Sequence, residues 1–390
     1  MMKSKSLKTI LILLLALAVF MAILTIWQPF RQPDDIQPVV DDTFSDTLNS
    51  DKDDAFEQVL QPRQFSFPAD HGPHPGFRLE WWYFTGNLSS RAGRKFGYQL
   101  TFFRTALAQG NSKSKSRWRS NQIYMAHFAL TDVRSRRFHA VQRFSRGALG
   151  LAGAESSRYH VWLYDWSASA QNGTVPPIRL QARQQDFSID LLLEKGKPLQ
   201  LQGQQGFSRK GPTPGNASYY YSYTRLPTTG SIRIEENSFQ VTGNSWMDRE
   251  WSSSALESRQ TGWDWFALQF DDGSELMFYR FRRNDARPDE NSSGALFLAD
   301  GTQIPLRHAD VTIDVQRYWL SPHSQVTYPS RWHLSIPSQG LELNIAPLLD
   351  DQELNLRYRY WEGAVSVSGR HRRKKISGQG YVELTGYSND

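Results

Sequence analysis

Two carboxylates stand one residue apart in the stretch GNSWMDREWSSS, residues 243–254. If this stretch is a strand, Trp246, Asp248 and Glu250 share one face, and the two acids lie about 6.5–7 Å apart. Such neighbours raise each other's pKa, and an apolar wall adds to the effect. An acid that stays protonated near neutral pH can act as a general acid. Asp248 and Glu250 are therefore our catalytic candidates, and Trp246 is a ligand-binding candidate. Two alternatives stay open: a structural pair neutralised by Arg249 or another cation, or ligand binding without chemistry.

A second carboxylate precedes four aromatic residues in EWWYFTGNL, which begins at Glu80. Strand alternation places Glu80 and Trp82 on one face and Trp81 and Tyr83 on the other. One set must then pack in a core, and only the other can line a pocket. We take Glu80, Trp82 and Tyr83 as ligand-binding candidates. The alternative for Glu80 is a salt bridge with Arg78, two residues earlier on the same face.

Histidines give weaker signals. In IYMAHFALTD, His127 shares a strand face with Met125 and Ala129. It is either a core residue or a ligand-binding residue that points into the same cavity as the acids. His71 and His74 are three apart in a loop rich in proline and glycine, but a metal site needs further ligands, so we predict no metal.

Other chemistries lack their motifs. The sequence contains no Gly-x-Ser-x-Gly elbow, no His-Glu-x-x-His and no phosphate-binding glycine loop. It also has no cysteine, which excludes disulfides, thiol catalysis and thiolate metal sites. We expect no cofactor. Glu362 and Glu383 each lie beside aromatic residues and glycines, and we interpret both as parts of closing strands.

The elements that must position these residues are strands. After residue 60, short runs rich in aromatic and β-branched residues recur between Gly, Pro, Asn and Asp, a pattern typical of an all-β fold with antiparallel strands. The hairpin EWWYFTGNL-SSRAG-RKFGYQLTFFR is echoed by GWDWFALQF-DDGS-ELMFYRFR, whose turn carries an Asp-Gly signal. We therefore predict two similar β-domains in tandem, residues 61–252 and 253–390.

The first 60 residues differ in kind. Lys3, Lys5 and Lys8 precede an uncharged run of 19 residues, Thr9–Trp27, close to the ~20 that cross a bilayer. We predict a transmembrane anchor over residues 1–30, with a cleaved signal sequence as the alternative. Residues 31–60 hold nine Asp or Glu against two Lys or Arg and read as a disordered acidic tether. The charge bias places the folded domains outside the inner membrane, in the periplasm, or secreted if the anchor is cleaved.

Without anchor and tether, the folded part carries about +10 of the formal charge, since the whole chain carries +6. Basic loops such as RHRRKK, residues 370–375, are either solvated hairpin tips or contacts for anionic head groups. The predicted compartment argues against nucleic acid.

Taken together, DHGPHPGFRLEWWYFTGNL, AHFALTD, GNSWMDREWSSS, GWDWFALQFDDGSELMFYRFR and YWEGAVSVSG…GQGYVELTGY resemble the lipocalin-like family of the carotenoid 1,2-hydratases (hydroxyneurosporene synthases). That family includes the AttH-type proteins, known as predicted secreted hydrolases. The resemblance covers nearly all of residues 61–390. It implies two lipocalin-like antiparallel β-barrels and an apolar cavity for an isoprenoid or other lipid.

The resemblance also implies a chemistry. In the hydratases an acidic group protonates a terminal double bond, and water adds to the tertiary cation without a cofactor. The matching motif falls on Trp246, Asp248 and Glu250, and the aromatic-acid motif begins at Glu80. Many relatives have histidine where this chain has Arg249, whose charge would favour ionised neighbours.

From these features we expect an anchored lipocalin-like protein that binds an apolar molecule, in partnership with an ABC transporter, since AttH-type relatives are often encoded beside such permeases. The alternative is a cofactor-independent hydratase or hydrolase that acts on an isoprenoid or lipid. A third hypothesis, carbohydrate recognition, rests on the thirteen tryptophans. The sequence leaves open whether the protein is an enzyme.

Overall fold

The computed structural model describes residues 55–388 except 110–119, 172, 174, 255 and 286. These residues form strands β1 Leu79–Ser90, β2 Lys95–Ala106, β3 Gln122–Asp132, β4 Arg137–Arg146, β5 Ala152–Glu155, β6 His160–Leu163, β7 Trp166–Ala170, β8 Ile178–Arg183, β9 Phe187–Leu193, β10 Gln200–Leu201, β11 Phe207–Arg209, β12 Ala217–Ile234, β13 Asn237–Ser252, β14 Gln260–Phe270, β15 Glu275–Arg283, β16 Ser293–Phe297, β17 Gln303–Arg307, β18 Thr312–Leu320, β19 Thr327–Ile336, β20 Leu341–Pro347, β21 Glu353–Leu354, β22 Tyr360–His371 and β23 Lys374–Leu384. Three 3-10 turns, Ala69–His71, His308–Asp310 and Pro337–Gln339, complete the regular structure of this part.

Residues 1–54, which include the predicted anchor and most of the predicted tether, lie outside the described part. Within it, no helix is long and apolar enough to cross a membrane. Phe56 and Val59, at the end of the predicted tether, are buried, and Val59 forms a bridge with Gly215.

Two antiparallel sheets follow each other along the chain, so the expected all-β fold with two tandem domains is confirmed. The first contains β1–β13 in the order β4-β3-β2-β1-β13-β12-β9-β8-β7-β6-β5, with β10 and β11 beside β12. The second contains β14–β23 in the order β17-β16-β15-β14-β23-β22-β20-β19-β18, with β21 beside β22. The first forms a nearly closed barrel and the second a half-barrel.

The repeated hairpin occupies equivalent places. In the first sheet β1 lies between β2 and the last strand, β13; in the second, β14 lies between β15 and the last strand, β23. The β14–β15 turn has Gly273 at φ +82°, a left-handed conformation that favours glycine. In each domain, therefore, the first strand of the repeated hairpin pairs with the last strand of the same sheet.

Alternation along the strands divides the side chains among three cores. The interior of the first barrel is filled with buried aromatic and aliphatic residues, and the second sheet has its own core. A third cluster joins the outer face of the first sheet to the second sheet, and it contains Tyr83, Tyr220, Trp246, Trp265 and Tyr381. Burial on both faces explains why the central strands carry aromatic residues at nearly every position.

Polar contacts also link the two sheets. Glu275 of β15 accepts hydrogen bonds from Lys197 at 2.7 Å and from Arg225 at 2.5 Å, both in the first domain. Asn87 of β1 donates to the backbone oxygen of Gly380 in β23 at 3.0 Å. The residues between the sheets are therefore held by both domains.

Candidate active site

A cavity of about 80 Å³ lies between the two sheets, at the centre of the third cluster. Strands from both domains line it, together with Lys210 from the β11–β12 connection. The lining consists of Trp81, Tyr83, Gln99, Thr101, Phe103, Lys210, Tyr220, Asp248, Glu250, Ser252, Ser254, Trp263, Trp265, Tyr279, Phe281, Tyr360, Glu362 and Glu383. The cavity thus combines nine aromatic side chains with four carboxyl groups.

Strand β13 carries the two predicted acids to this cavity. Asp248 and Glu250 face the cavity, whereas Met247, Arg249 and Trp251 face the barrel interior or its end. The predicted face assignment is therefore confirmed. Arg249 lies on the other face of β13 and does not form an ion pair with either acid. Arg249 donates to the backbone oxygen of Glu250 at 3.1 Å, and its guanidinium forms an ion pair with Glu80.

Asp248 is almost fully buried and accepts three hydrogen bonds. Tyr220 donates to Oδ2 at 2.6 Å, while Trp246 Nε1, at 2.6 Å, and the Ser222 hydroxyl donate to Oδ1. Burial raises the pKa of Asp248 to about 7 against the lowering effect of these hydrogen bonds, and Glu250 adds a smaller increase. Both protonation states of Asp248 are thus populated near neutral pH.

Glu250 has a different environment. Its Oε1 lies 2.9 Å from Nζ of Lys210, and it also accepts a hydrogen bond from Ser218. Burial alone would lower the pKa of Lys210, but the Glu250 carboxylate beside it raises that pKa. Glu250 and Lys210 therefore form an ion pair, and Asp248 is the member of the predicted catalytic pair that remains free to exchange a proton.

Glu362 and Glu383, interpreted from the sequence as parts of closing strands, belong to the site. They lie directly opposite each other on β22 and β23. Burial raises the pKa of Glu383 to about 8, and burial together with the nearby Glu383 raises the pKa of Glu362 well above its usual value. Tyr83 of the first domain donates to Glu362 Oε1 at 2.5 Å. The sequence contains a signal that could have indicated this second acid pair, namely a glutamate within an aromatic strand, as in YWEGAVSV.

Three predicted ligand-binding residues lie at or beside the cavity. Tyr83 lines it and makes an edge-to-face contact with Trp265, with ring centroids 5.2 Å apart. Trp246 lies behind Asp248 and orients that carboxyl through its indole N–H. His127 of β3 is fully buried, and its Nδ1 lies 2.7 Å from the hydroxyl of Tyr360, a lining residue. Burial lowers the pKa of His127 to about 3, so its ring is neutral.

The ligand-binding prediction for Glu80 and Trp82 is corrected by the structure. Both lie on the opposite face of β1, where Glu80 is paired with Arg104 and Arg249. These cations keep the pKa of Glu80 well below its usual value although burial opposes them. Trp82 packs in the barrel core with the Arg249 guanidinium 3.9 Å from its ring centre. Glu80 therefore forms salt bridges, as the alternative predicted. Its partners are Arg104 and Arg249, whereas the prediction named Arg78.

The His-x-x-His pair takes part in the same buried network. His74 stacks on Trp251 with ring centres 3.8 Å apart and lies 3.2 Å from Glu80. His71 Nδ1 lies 2.6 Å from the Tyr221 hydroxyl. Among the residues that the structure describes, no cluster of three or more histidine, aspartate or glutamate side chains could hold a metal ion.

The site can supply and recover a proton in water-poor surroundings. Asp248 titrates near neutrality and Glu383 slightly above it, while aromatic rings from both domains can stabilise a passing positive charge. This arrangement defines a two-domain all-β protein with an acid-bearing, aromatic-walled cavity at the domain interface.

The chain belongs to the AttH-like family, whose model matches residues 58–387. It is similar to the crystal structure of an AttH protein from Nitrosomonas europaea, with 36% identity and a TM-score of 0.75 over 85% of this chain and 100% of that one. It shares its fold with kievitone hydratase from Nectria haematococca, at 14% identity and a TM-score of 0.65 over 86% of this chain and 98% of that one.

The sequence is also similar to that of a protein with the same name, kievitone hydratase. Kievitone hydratase of Fusarium solani subsp. phaseoli is 24% identical over 219 residues, which are 54% of this chain and 60% of that protein. The chain thus matches less than two thirds of this relative's length. The predicted resemblance to the AttH-type, lipocalin-like family is confirmed.

Proposed function

We propose that this AttH-like protein is a cofactor-independent hydratase that adds water to a carbon–carbon double bond of an apolar, isoprenoid-like molecule. The observation that carries the proposal is Asp248: a buried carboxyl that faces an aromatic cavity and has a pKa of about 7, with no arginine among the described residues that line the cavity. Two relatives bear the name of a hydratase, which agrees with this chemistry.

The proposed reaction needs one proton donor and one water. The protonated Asp248 gives its proton to the less substituted alkene carbon, which leaves a tertiary carbocation and the Asp248 carboxylate. Water then forms a bond to the cationic carbon and returns one proton to the carboxylate, so that alkene and water give an alcohol and the acid is regenerated. A pKa near the working pH suits both half-steps.

The other lining residues support this sequence of steps. The carboxylate of Asp248 keeps its hydrogen bonds from Tyr220, Ser222 and Trp246, which stabilise the charge left after proton transfer. The small volume, about 80 Å³, has room for the reacting end of a substrate. The rest of an isoprenoid would extend away from the acids.

A deuterium experiment tests the proposal. Purified protein is incubated in D2O with kievitone and, separately, with an acyclic carotene, and products are analysed by mass spectrometry. Hydration adds D2O to the double bond, and the reverse reaction leaves deuterium on carbon even when little alcohol accumulates. Neither hydration nor exchange above that of Asp248→Asn, for both compounds, would overturn the hydratase assignment for these substrate types.

Transport or storage of an apolar molecule is a second candidate function, favoured by the nine aromatic side chains that line the cavity. In this proposal the protein is anchored at the inner membrane, faces the periplasm and passes its ligand to an ABC transporter. Organic extraction of the purified full chain, followed by mass spectrometry, tests it. A protein that carries no lipid and binds no apolar fluorescent probe would contradict it.

A further inference from the structure

The cavity already contains one cation, the ammonium group of Lys210. Nζ of Lys210 lies 4.3 Å from the ring centre of Tyr279, 5.2 Å from that of Tyr220 and 2.9 Å from the Glu250 carboxylate. Aromatic faces and a carboxylate together are the elements with which proteins bind ammonium groups. One corner of the cavity is therefore a cation site filled by the protein's own side chain.

A second corner of the cavity, defined by three other acids, offers the same elements for a ligand. It is made by Asp248, Glu362 and Glu383 together with Tyr83 and the indoles of Trp81, Trp263 and Trp265. Among the described lining residues, Lys210 alone carries a positive charge, and it is committed to Glu250. This second corner thus has three carboxyl groups and no lysine or arginine among its described residues.

One atom in this corner indicates that a partner is missing. Glu362 is 1% exposed, and its carboxyl interacts with the Tyr83 hydroxyl, which donates to Oε1, and with the Tyr360 hydroxyl, whereas Oε2 has no well-formed hydrogen bond from a described residue. An unpartnered carboxyl oxygen in a buried place costs free energy unless it is protonated or meets a ligand. The ligand that would satisfy it is a hydrogen-bond donor or a cation.

We propose that the corner formed by Asp248, Glu362 and Glu383 binds a small organic cation of the alkylammonium class. The inference deepens the proposed function and rests on it for its role, because a site built to stabilise a carbocation would bind a stable cation of similar shape. Binding itself requires only the geometry described above.

Cation binding at this corner must release protons. Burial keeps Asp248, Glu362 and Glu383 protonated to higher pH than usual, and a bound cation favours their ionised forms. Affinity therefore rises with pH up to the carboxyl pKa values, by about tenfold per pH unit for each proton released. Several described titratable or charged groups surround these acids: Tyr83 of β1, Tyr220 of β12, Glu250 of β13, Tyr279 of β15, Tyr360 of β22, Tyr381 of β23, the neutral His127 of β3 behind Tyr360, and Lys210.

A pair of isosteric probes tests the proposal on the intact protein. Choline and its neutral carbon analogue 3,3-dimethylbutan-1-ol are titrated into the protein by calorimetry at pH 6, 7 and 8. We expect choline affinity to rise at least tenfold from pH 6 to pH 8 with proton release. The neutral alcohol should show no such trend. Equal pH dependence of the two probes, or no choline binding at pH 8, would overturn the proposal.

A variant locates the site. Glu362→Gln keeps the shape and the Tyr83 contact but cannot ionise when a cation binds, and we expect it to weaken choline binding at pH 8 at least tenfold. The matched control is Glu342→Gln on β20, a glutamate outside the cavity lining, which should leave the affinity unchanged. Equal effects of the two variants would contradict the assignment. Because calorimetry measures binding and not hydration, a failure of cation binding can be distinguished from a failure of the hydratase proposal.

Discussion

Asp248 and Arg249 are adjacent in the sequence, yet their side chains lie on opposite faces of β13. Asp248 faces the cavity between the domains, whereas Arg249 is fully buried on the barrel side and pairs with Glu80. The strand backbone thus separates a titratable acid from a permanent cation. Burial between the domains raises the pKa of Asp248 to about 7, against the hydrogen bonds that it accepts.

Replacing Asp248 with asparagine should abolish the proposed chemistry and preserve the fold. Asparagine fills the same volume and its oxygen can still accept a hydrogen bond, but it has no proton to give. General acid catalysis contributes about 10²–10⁴-fold to a rate, so we expect a fall of that size in hydration or in deuterium exchange. Circular dichroism should show an unchanged all-β spectrum.

The control for this substitution is Asp186→Asn, an exposed aspartate before β9. It makes the same chemical change away from the cavity and should leave the rate unchanged. A rate for Asp248→Asn within threefold of the wild type would remove Asp248 from the mechanism.

The same residue should make stability depend on pH. Native Asp248 holds its proton up to about pH 7, whereas the unfolded chain releases it near pH 3.8. Between these values the native state binds more protons, so the free energy of unfolding falls as pH rises. Relative to Asp248→Asn, the wild type should lose on the order of 4 kcal/mol between pH 4 and pH 8.

Urea unfolding of both proteins across this pH range measures the effect. The comparison cancels the opposing contributions of acids such as Glu80, whose pKa is lowered. Parallel stability curves for the two proteins would show that Asp248 titrates normally.

Arg249 should contribute to stability and leave the chemistry of Asp248 unaffected. Arg249→Met keeps most of the side-chain volume over Trp82 but leaves Glu80 with Arg104 as its remaining arginine. Breaking a buried ion pair from one side costs about 3–5 kcal/mol, so we expect a loss of that order in urea unfolding at pH 7. The double variant Glu80→Gln, Arg249→Met should lose less than the sum of the single variants. Additive losses would mean that the two residues do not interact.

The strands and their faces could be predicted from the sequence because alternation is a local property. The positions of Asp248, Glu250 and Tyr83 on one cavity follow from that alternation and from the pairing of β1 with β13. The sequence could not show which face of β1 borders the second domain. Glu80 and Trp82 were therefore included among the ligand-binding candidates although they face the barrel interior.

The second acid pair depended on information that is not local. Glu362 and Glu383 become neighbours only through the register of β22 with β23, and they meet Asp248 only through the packing of the two sheets. Similarly, the pKa of Asp248 depends first on its burial between domains and only last on Glu250. The spacing along one strand predicted that Glu250 would raise the pKa of Asp248. It could not show that this effect is smaller than the effect of burial.

The close packing of the two sheets should depend on Gly97 of β2. A methyl group at this position would lie 2.6 Å from Cβ of Ala364 in β22 and 2.7 Å from the Tyr381 hydroxyl in β23. Gly97→Ala should therefore cost about 1–3 kcal/mol, as overpacking does elsewhere, measured by urea unfolding. Exchanging the methyl group, in the double variant Gly97→Ala, Ala364→Gly, should recover part of that loss because the two side chains then no longer collide. If the double variant instead loses the sum of the two single effects, the sheets are not in contact at this point.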